Sequence, residues 1–283
     1  MRQLLLVLII LASGAAAASP PQRAASPDPQ AIPRPIEAVD SIFMEELTWM
    51  EVRDAIRAGK STAIVATGGI EQNGPYLTTG KHNVVLRAVT EAIARKLGNA
   101  LVAPIVAFVP EGRIEPPSGH MRYPGTVSLQ EPTYRALLTD IASSLKQHGF
   151  DHIVLIGDSG GNQDGMKDVA SRLAAQWGGN PGIHFIPEFY DYQAATRFAE
   201  TELGIKQTNE GIHDDYVITS IMMTVDPSQV RLQQREAAGK ASINGVSITP
   251  AARAIEHGKR LVEFRAEQTV AAIRKAIGSP AAR

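Results

Sequence analysis

The chain has 283 residues, 44% of them hydrophobic, with 28 basic against 29 acidic side chains and a net charge of −1. That length supports one α/β domain with a sizeable core. The charge balance, the absence of a basic run and an aromatic content of 5% exclude a nucleic-acid groove, a stacking platform for single strands and an anionic membrane surface as partners.

Met1–Ser19 has the form of a secretory signal, with Arg2, an unbroken apolar run over Leu4–Leu11 and small residues at Ala15–Ala18. The expectation is cleavage after residue 18 and a secreted, periplasmic protein with no membrane contact thereafter, because the run is too short to span a bilayer. Residues 19–40 carry prolines at 20, 21, 27, 29, 33 and 35 and few large apolar side chains, which predicts an unstructured linker. Residues 41–283 are then the folded domain. With no cysteine it rests on its core alone.

Thr48 starts a helix that places Trp49, Val52 and Ile56 on one side and stops at Gly59. Thr62–Ala66 is a buried strand. It empties into Gly68–Asn83 (GGIEQNGPYLTTGKHN), which offers Glu71, Asn73 and His82 beside several glycines. A loop at the carboxyl end of a buried strand is where open α/β sheets bind ligands, although the same residues also read as a turn capping the next helix from Asn83. That helix carries Val85, Val89, Ile93 and Leu97, and Ala100–Val109 follows as a long second strand.

Pro110–Thr126 is a Pro- and Gly-rich loop of the length that usually serves function, and His120 is its one imidazole. A helix over Glu131–His148 leads to the apolar strand His152–Ile156 and the turn GDSGGN at Gly157–Asn162. Gly157, Ser159 and Gly161 stand at the offsets of a nucleophile elbow, for which His213 with Asp214 or Asp215 would supply base and acid. A helix from Gln163 to Trp177, a strand at Ile183–Pro187 and a helix at Tyr190–Leu203 follow. The turn NEGIHDD at Asn209–Asp215 sets two carboxylates beside His213, either to cap the apolar segment Tyr216–Val225 or to form a site. Pro250–Ile277 is one or two helices. Such alternation predicts an α/β fold with a mostly parallel sheet, its polar turns converging at one edge.

Several features together resemble the creatininase family: Glu71-Gln72 then Gly74-Pro75; His120 followed by Tyr123-Pro124-Gly125-Thr126; His148-Gly149-Phe150; Gly160-Gly161-Asn162; and Gly211-Ile212-His213 before Thr219-Ser220. The resemblance implies a three-layer α/β/α sandwich, assembly as a hexamer, and a divalent metal centre that activates water against a cyclic amide in a small-molecule substrate. It also implies differences. Asn73 stands where the family has a histidine ligand, His82 where it has a bridging acid, Ser159 in place of another histidine, and Ile218 in place of an acid. The expectation is therefore a rebuilt zinc or manganese site held by Glu71, His82, Asp158 and Asp215. His213 and Asp214 would move protons, His120 would act from the lid loop, and Asn73, Ser159, Gly160, Gly161 and Asn162 would face substrate and oxyanion. Two alternatives stay open: a small-molecule binding protein without turnover, and a hydrolase using Ser159.

Overall fold

A computed structural model describes residue 28 and residues 30–278, so the expected signal over 1–18 lies outside the described residues. Chain contacts divide at Pro35 and Ile36. Before the division, Ala31 N donates to Asp28 O in a short turn at 2.9 Å. After it, Val39 N is bonded to the Glu51 carboxylate at 2.8 Å, so the end of the expected linker is tied to the domain.

Strand β1 (Thr62–Thr67, TAIVAT) is buried at every position. Unbroken burial without polar alternation is what a strand covered on both faces requires. It pairs in parallel with β2 (Ala100–Val102) on one side and with β3 (His152–Gly157) on the other, and β3 pairs in parallel with β4 (Gly182–Phe185), giving the order β2-β1-β3-β4. Side-chain alternation divides the core in two. Ala63, Val65, Ile153 and Leu155 pack with α1 (Trp49–Arg57), α3 (Glu131–Gln147) and α4 (Gln163–Trp177). Ile64, Ala66, Val154 and Ile156 pack with α2 (Lys81–Leu97), α5 (Tyr192–Glu202), α6 (Tyr216–Val225) and α8 (Ala251–Ala276). The result is the three-layer α/β/α sandwich. A short helix α7 (Leu232–Ala237) and a hairpin of β5 (Ser242–Ile243) and β6 (Val246–Ser247) complete the elements. Among the described residues, no helix is long and apolar enough to cross a membrane.

Local chemistry explains where sequence and structure part. Thr48 closes a capping box with Glu51, as a helix start there requires, but Trp49 is exposed beneath the Arg53 guanidinium instead of joining the core. The long strand expected over Ala100–Val109 stops at Val102, since Pro104 has no N–H for the ladder; the chain rejoins the end of β1 through Val106 N on Ala66 O at 2.9 Å. Helix α2 begins at Lys81, ahead of Asn83, whose amide bonds the Gly69 carbonyl. The C-terminal segment is one continuous helix.

Helices α6 and α8 touch through Gly258, where an added Cβ would lie 2.1 Å from the Ser220 carbonyl oxygen. Gly258→Ala is expected to cost about 1–3 kcal/mol, since the strain falls on backbone that cannot swing aside. Urea unfolding reads this directly, and an unchanged midpoint would mean that the two helices part freely.

Candidate functional site

Two strand ends build the site. At the end of β1 the chain passes so close to α2 that a Cβ on Gly68 would lie 1.9 Å from the Asn83 side chain, so any other residue there would displace that amide. The turn after β3 is fastened to the same place: Asn162, fully buried, donates to the carbonyls of Thr67 at 3.0 Å and Gly68 at 2.9 Å. Asn73 donates to the carbonyls of Glu71 and Thr78 at 2.9 and 3.0 Å. Both asparagines, expected to meet substrate, hold the loops that carry the chemistry.

The Glu71 carboxylate is the hub. One oxygen, Oε1, is reached by His82 Nε2 at 2.8 Å, His213 Nε2 at 3.0 Å and Lys81 Nζ at 3.1 Å. The other, Oε2, faces His120 Nε2 at 3.1 Å. Burial alone would raise the carboxyl pKa, but the hydrogen bonds from His213 and His82 and the Lys81 charge hold it far below the usual carboxylate range. Behind His82, Nδ1 meets Asp158 Oδ2 at 2.8 Å, and Asp158 Oδ1 accepts from Arg265 at 2.8 Å and from the Tyr192 hydroxyl at 2.7 Å. Burial would discharge His82; its bonds to Asp158 and Glu71 outweigh that and raise its pKa.

These pairings redistribute the expected metal ligands. Both nitrogens of His82 are committed to carboxylates, and Asp158 is completely buried on His82, Arg265 and Tyr192. Asp215 caps α6 through Ile218 N at 2.8 Å. Of the four, only Glu71 keeps an oxygen toward other ligand-class atoms. Its partners are His120 and His213: the three residues offer ligand atoms all within 4.8 Å of one another. Two imidazoles and a carboxylate are a donor set that zinc or manganese accepts while keeping a position for water. Burial lowers the His120 pKa, which favours the neutral, ligating form, and Gln72 Nε2 supports its Nδ1 at 3.4 Å.

A cavity of about 670 Å³ opens beside this trio, lined by Lys81, Glu111, Ser159, Gly160, Gly161, Tyr190 and Tyr192 among others. Among the described residues, no hydrogen bond joins the Ser159 hydroxyl to a histidine, although Ser159 lines the cavity with His120 and His213. Asp214 does not line the cavity: it lies beside Gly74, and burial pushes its carboxyl up to about 6 despite the Arg235 charge. Four site residues escaped the sequence reading. Lys81 and Glu111 sit within loops already singled out, whereas Tyr192 and Arg265 carry no signal beyond a polar position on an apolar helix face. Burial and the neighbouring Glu71 charge push the Glu111 carboxyl up to about 8.

The charge balance has a measurable consequence in metal-free protein. A raised His82 pKa gives stability that is complete below about pH 6.5 and is lost as pH rises through the higher folded value. A depressed Glu71 pKa gives stability complete above about pH 4.3 and lost as pH falls through its lower folded value. Imidazole ¹⁵N resonances are expected to show His82 protonated on both nitrogens at pH 7, and a neutral ring there would refute the paired arrangement.

A sequence model of the family described as creatininase, creatinine amidohydrolase, matches residues 45–273. Creatinine amidohydrolase of Pseudomonas putida is 30% identical over 116 residues, 41% of this chain and 44% of that protein. The 3-dehydro-scyllo-inosose hydrolase of Thermotoga maritima is 22% identical over 192 residues, 68% of this chain and 58% of that protein. The chain thus matches about half the length of each curated relative. Among solved structures, a mutant creatininase of Zn-Zn type superposes with a TM-score of 0.61 at 22% identity, covering 84% of this chain and 98% of that one. A manganese creatininase gives 0.61 at 23% identity, covering 83% and 98%.

Proposed function

The chain belongs to the creatininase family, and from that premise we propose that it is a metal-dependent hydrolase of a C–N bond in a small cyclic amide or related molecule. The observation that carries this reading is the convergence of the His120 and His213 Nε2 atoms on the buried Glu71 carboxylate beside an open cavity. These three residues would hold one zinc or manganese ion. When bound, the ion supplies a water of lowered pKa and polarises the scissile carbonyl.

The chain's own residues do the rest. His82, gripped by Asp158, fixes the Glu71 carboxylate from behind, so that it presents one orientation to the cavity. Ser159, Gly160 and Gly161 form the wall against which substrate lies, and Gly161 is restricted to glycine because a Cβ would lie 2.2 Å from the Pro110 carbonyl oxygen. Secretion through the N-terminal signal and assembly as a homo-oligomer belong to the same reading, by resemblance to the family.

Protein purified without chelator is expected to carry one zinc or manganese ion per chain by elemental analysis and to open a lactam or cyclic urea. Both properties should disappear in a His120→Ala/His213→Ala variant. One observation favours a binding protein instead: Glu71 Oε1 already has three nitrogen partners. Absence of metal from the wild-type protein would decide for that alternative.

A further inference from the structure

Lys81 stands where an ordinary design would not put it. It is the first residue of α2, with no acidic side chain in that turn, so its ammonium sits at the positive end of the helix dipole. It is also only 2% exposed. A buried cation in that position is disfavoured twice, by desolvation and by the aligned peptide N–H groups. Among the described residues the one carboxylate within ion-pair distance, Glu71 Oε1 at 3.1 Å, is shared with His82 and His213. The remaining neighbour is His213 Nε2 at 3.5 Å, which cannot accept a hydrogen bond once its lone pair holds an ion. An ammonium has three N–H donors, so Lys81 keeps donor capacity on the cavity wall that nothing among the described residues takes up.

One of the other candidates for receiving negative charge, the Gly160 backbone N–H, faces the Tyr190 hydroxyl. The described residues also contain a single three-ligand group, enough for one ion. From this geometry we infer that Lys81 is a catalytic residue of a one-ion centre, donating to the oxygen of the scissile carbonyl and stabilising the charge that gathers there. This rests on the hydrolase reading above. In the reaction, water oxygen bonds to the carbonyl carbon, and the π electrons move onto the oxygen facing Lys81 Nζ. They return as the C–N bond breaks and the leaving nitrogen takes a proton originating from that water. Lys81 gives up no proton in the cycle; its charge stabilises the oxyanion through the hydrogen bond.

Inorganic phosphate, a stable tetrahedral oxyanion, is the probe. Zinc-loaded wild-type protein, Lys81→Met and Lys81→Arg are titrated with it by calorimetry, with zinc per chain counted in each. Wild type is expected to hold one zinc per chain. Lys81→Met should weaken phosphate about 10- to 100-fold, the worth of a hydrogen bond to a charged group, while keeping its zinc, and Lys81→Arg should retain most of the affinity. On any lactam the enzyme opens, Lys81→Met should lower kcat about 10²- to 10³-fold with KM little changed. Unchanged phosphate affinity in a zinc-loaded Lys81→Met protein, or two zinc ions in the wild type, overturns the assignment. Should Lys81→Met fail to fold, equal loss of phosphate in Lys81→Arg overturns it instead. A wild-type protein without zinc overturns the parent reading, an outcome the zinc count separates from failure of the phosphate arm.

Discussion

Glu71→Gln is expected to yield a protein that binds no metal, turns over no substrate and is about 3–5 kcal/mol less stable than wild type. The stability loss is the more telling part. An amide of nearly the same shape keeps the packing but removes the one negative charge between Lys81 and His82, both of which are buried. Two buried cations then face each other, and the Asp158 carboxylate bonded to His82 is already shared with Arg265. Chemical denaturation of metal-free protein isolates this contribution from metal binding. Stability unchanged by the substitution would show that Lys81 and His82 do not carry charge in the fold.

Arg265→Met carries the second large effect, about 3–5 kcal/mol, because it strips the fully buried Asp158 of its permanent cation. Arg265 also lies over the rings of Phe189 and Tyr192, with 4.6 and 4.8 Å to the centroids, and donates to the Phe189 carbonyl at 3.0 Å. Methionine replaces the stem of the side chain and none of these. Adding Asp158→Asn should return part of the loss, giving a coupling energy of about 1–3 kcal/mol in a double-mutant cycle measured by urea unfolding. Strict additivity would mean that Arg265 stabilises through its rings and not through the carboxylate.

The sandwich was legible because it is written in local chemistry. Thr62–Ala66 reads as a buried strand, Thr48 as a helix start, and Gly157–Asn162 as a strand-to-helix turn, and each is found there. Glu71, His120 and His213 were legible as functional residues for the same reason: each lies in a polar loop after a strand or before a helix. Their division of labour was not. Nothing in spacing says that His82 would turn both nitrogens to carboxylates, or that Asp215 would serve α6 while Asp214 stayed buried without a partner. Those outcomes depend on which oxygen faces which nitrogen, in the case of His82 and Asp158 between segments 76 residues apart. Arg265 is the extreme case, since α8 carries four arginines and nothing in their spacing singles out the buried one.

The anchoring of Asp158 by Arg265 also bears on when the protein becomes competent during synthesis. β1, α2 and β3 leave the ribosome long before α8, so the sheet can assemble while Asp158 and His82 still lack their terminal counter-charge. Because Ala266, Val270 and Ile273 of the same helix cover one face of the sheet, the apolar layer and the charge balance of the pocket are completed together, and a nascent chain stalled before residue 265 would have neither.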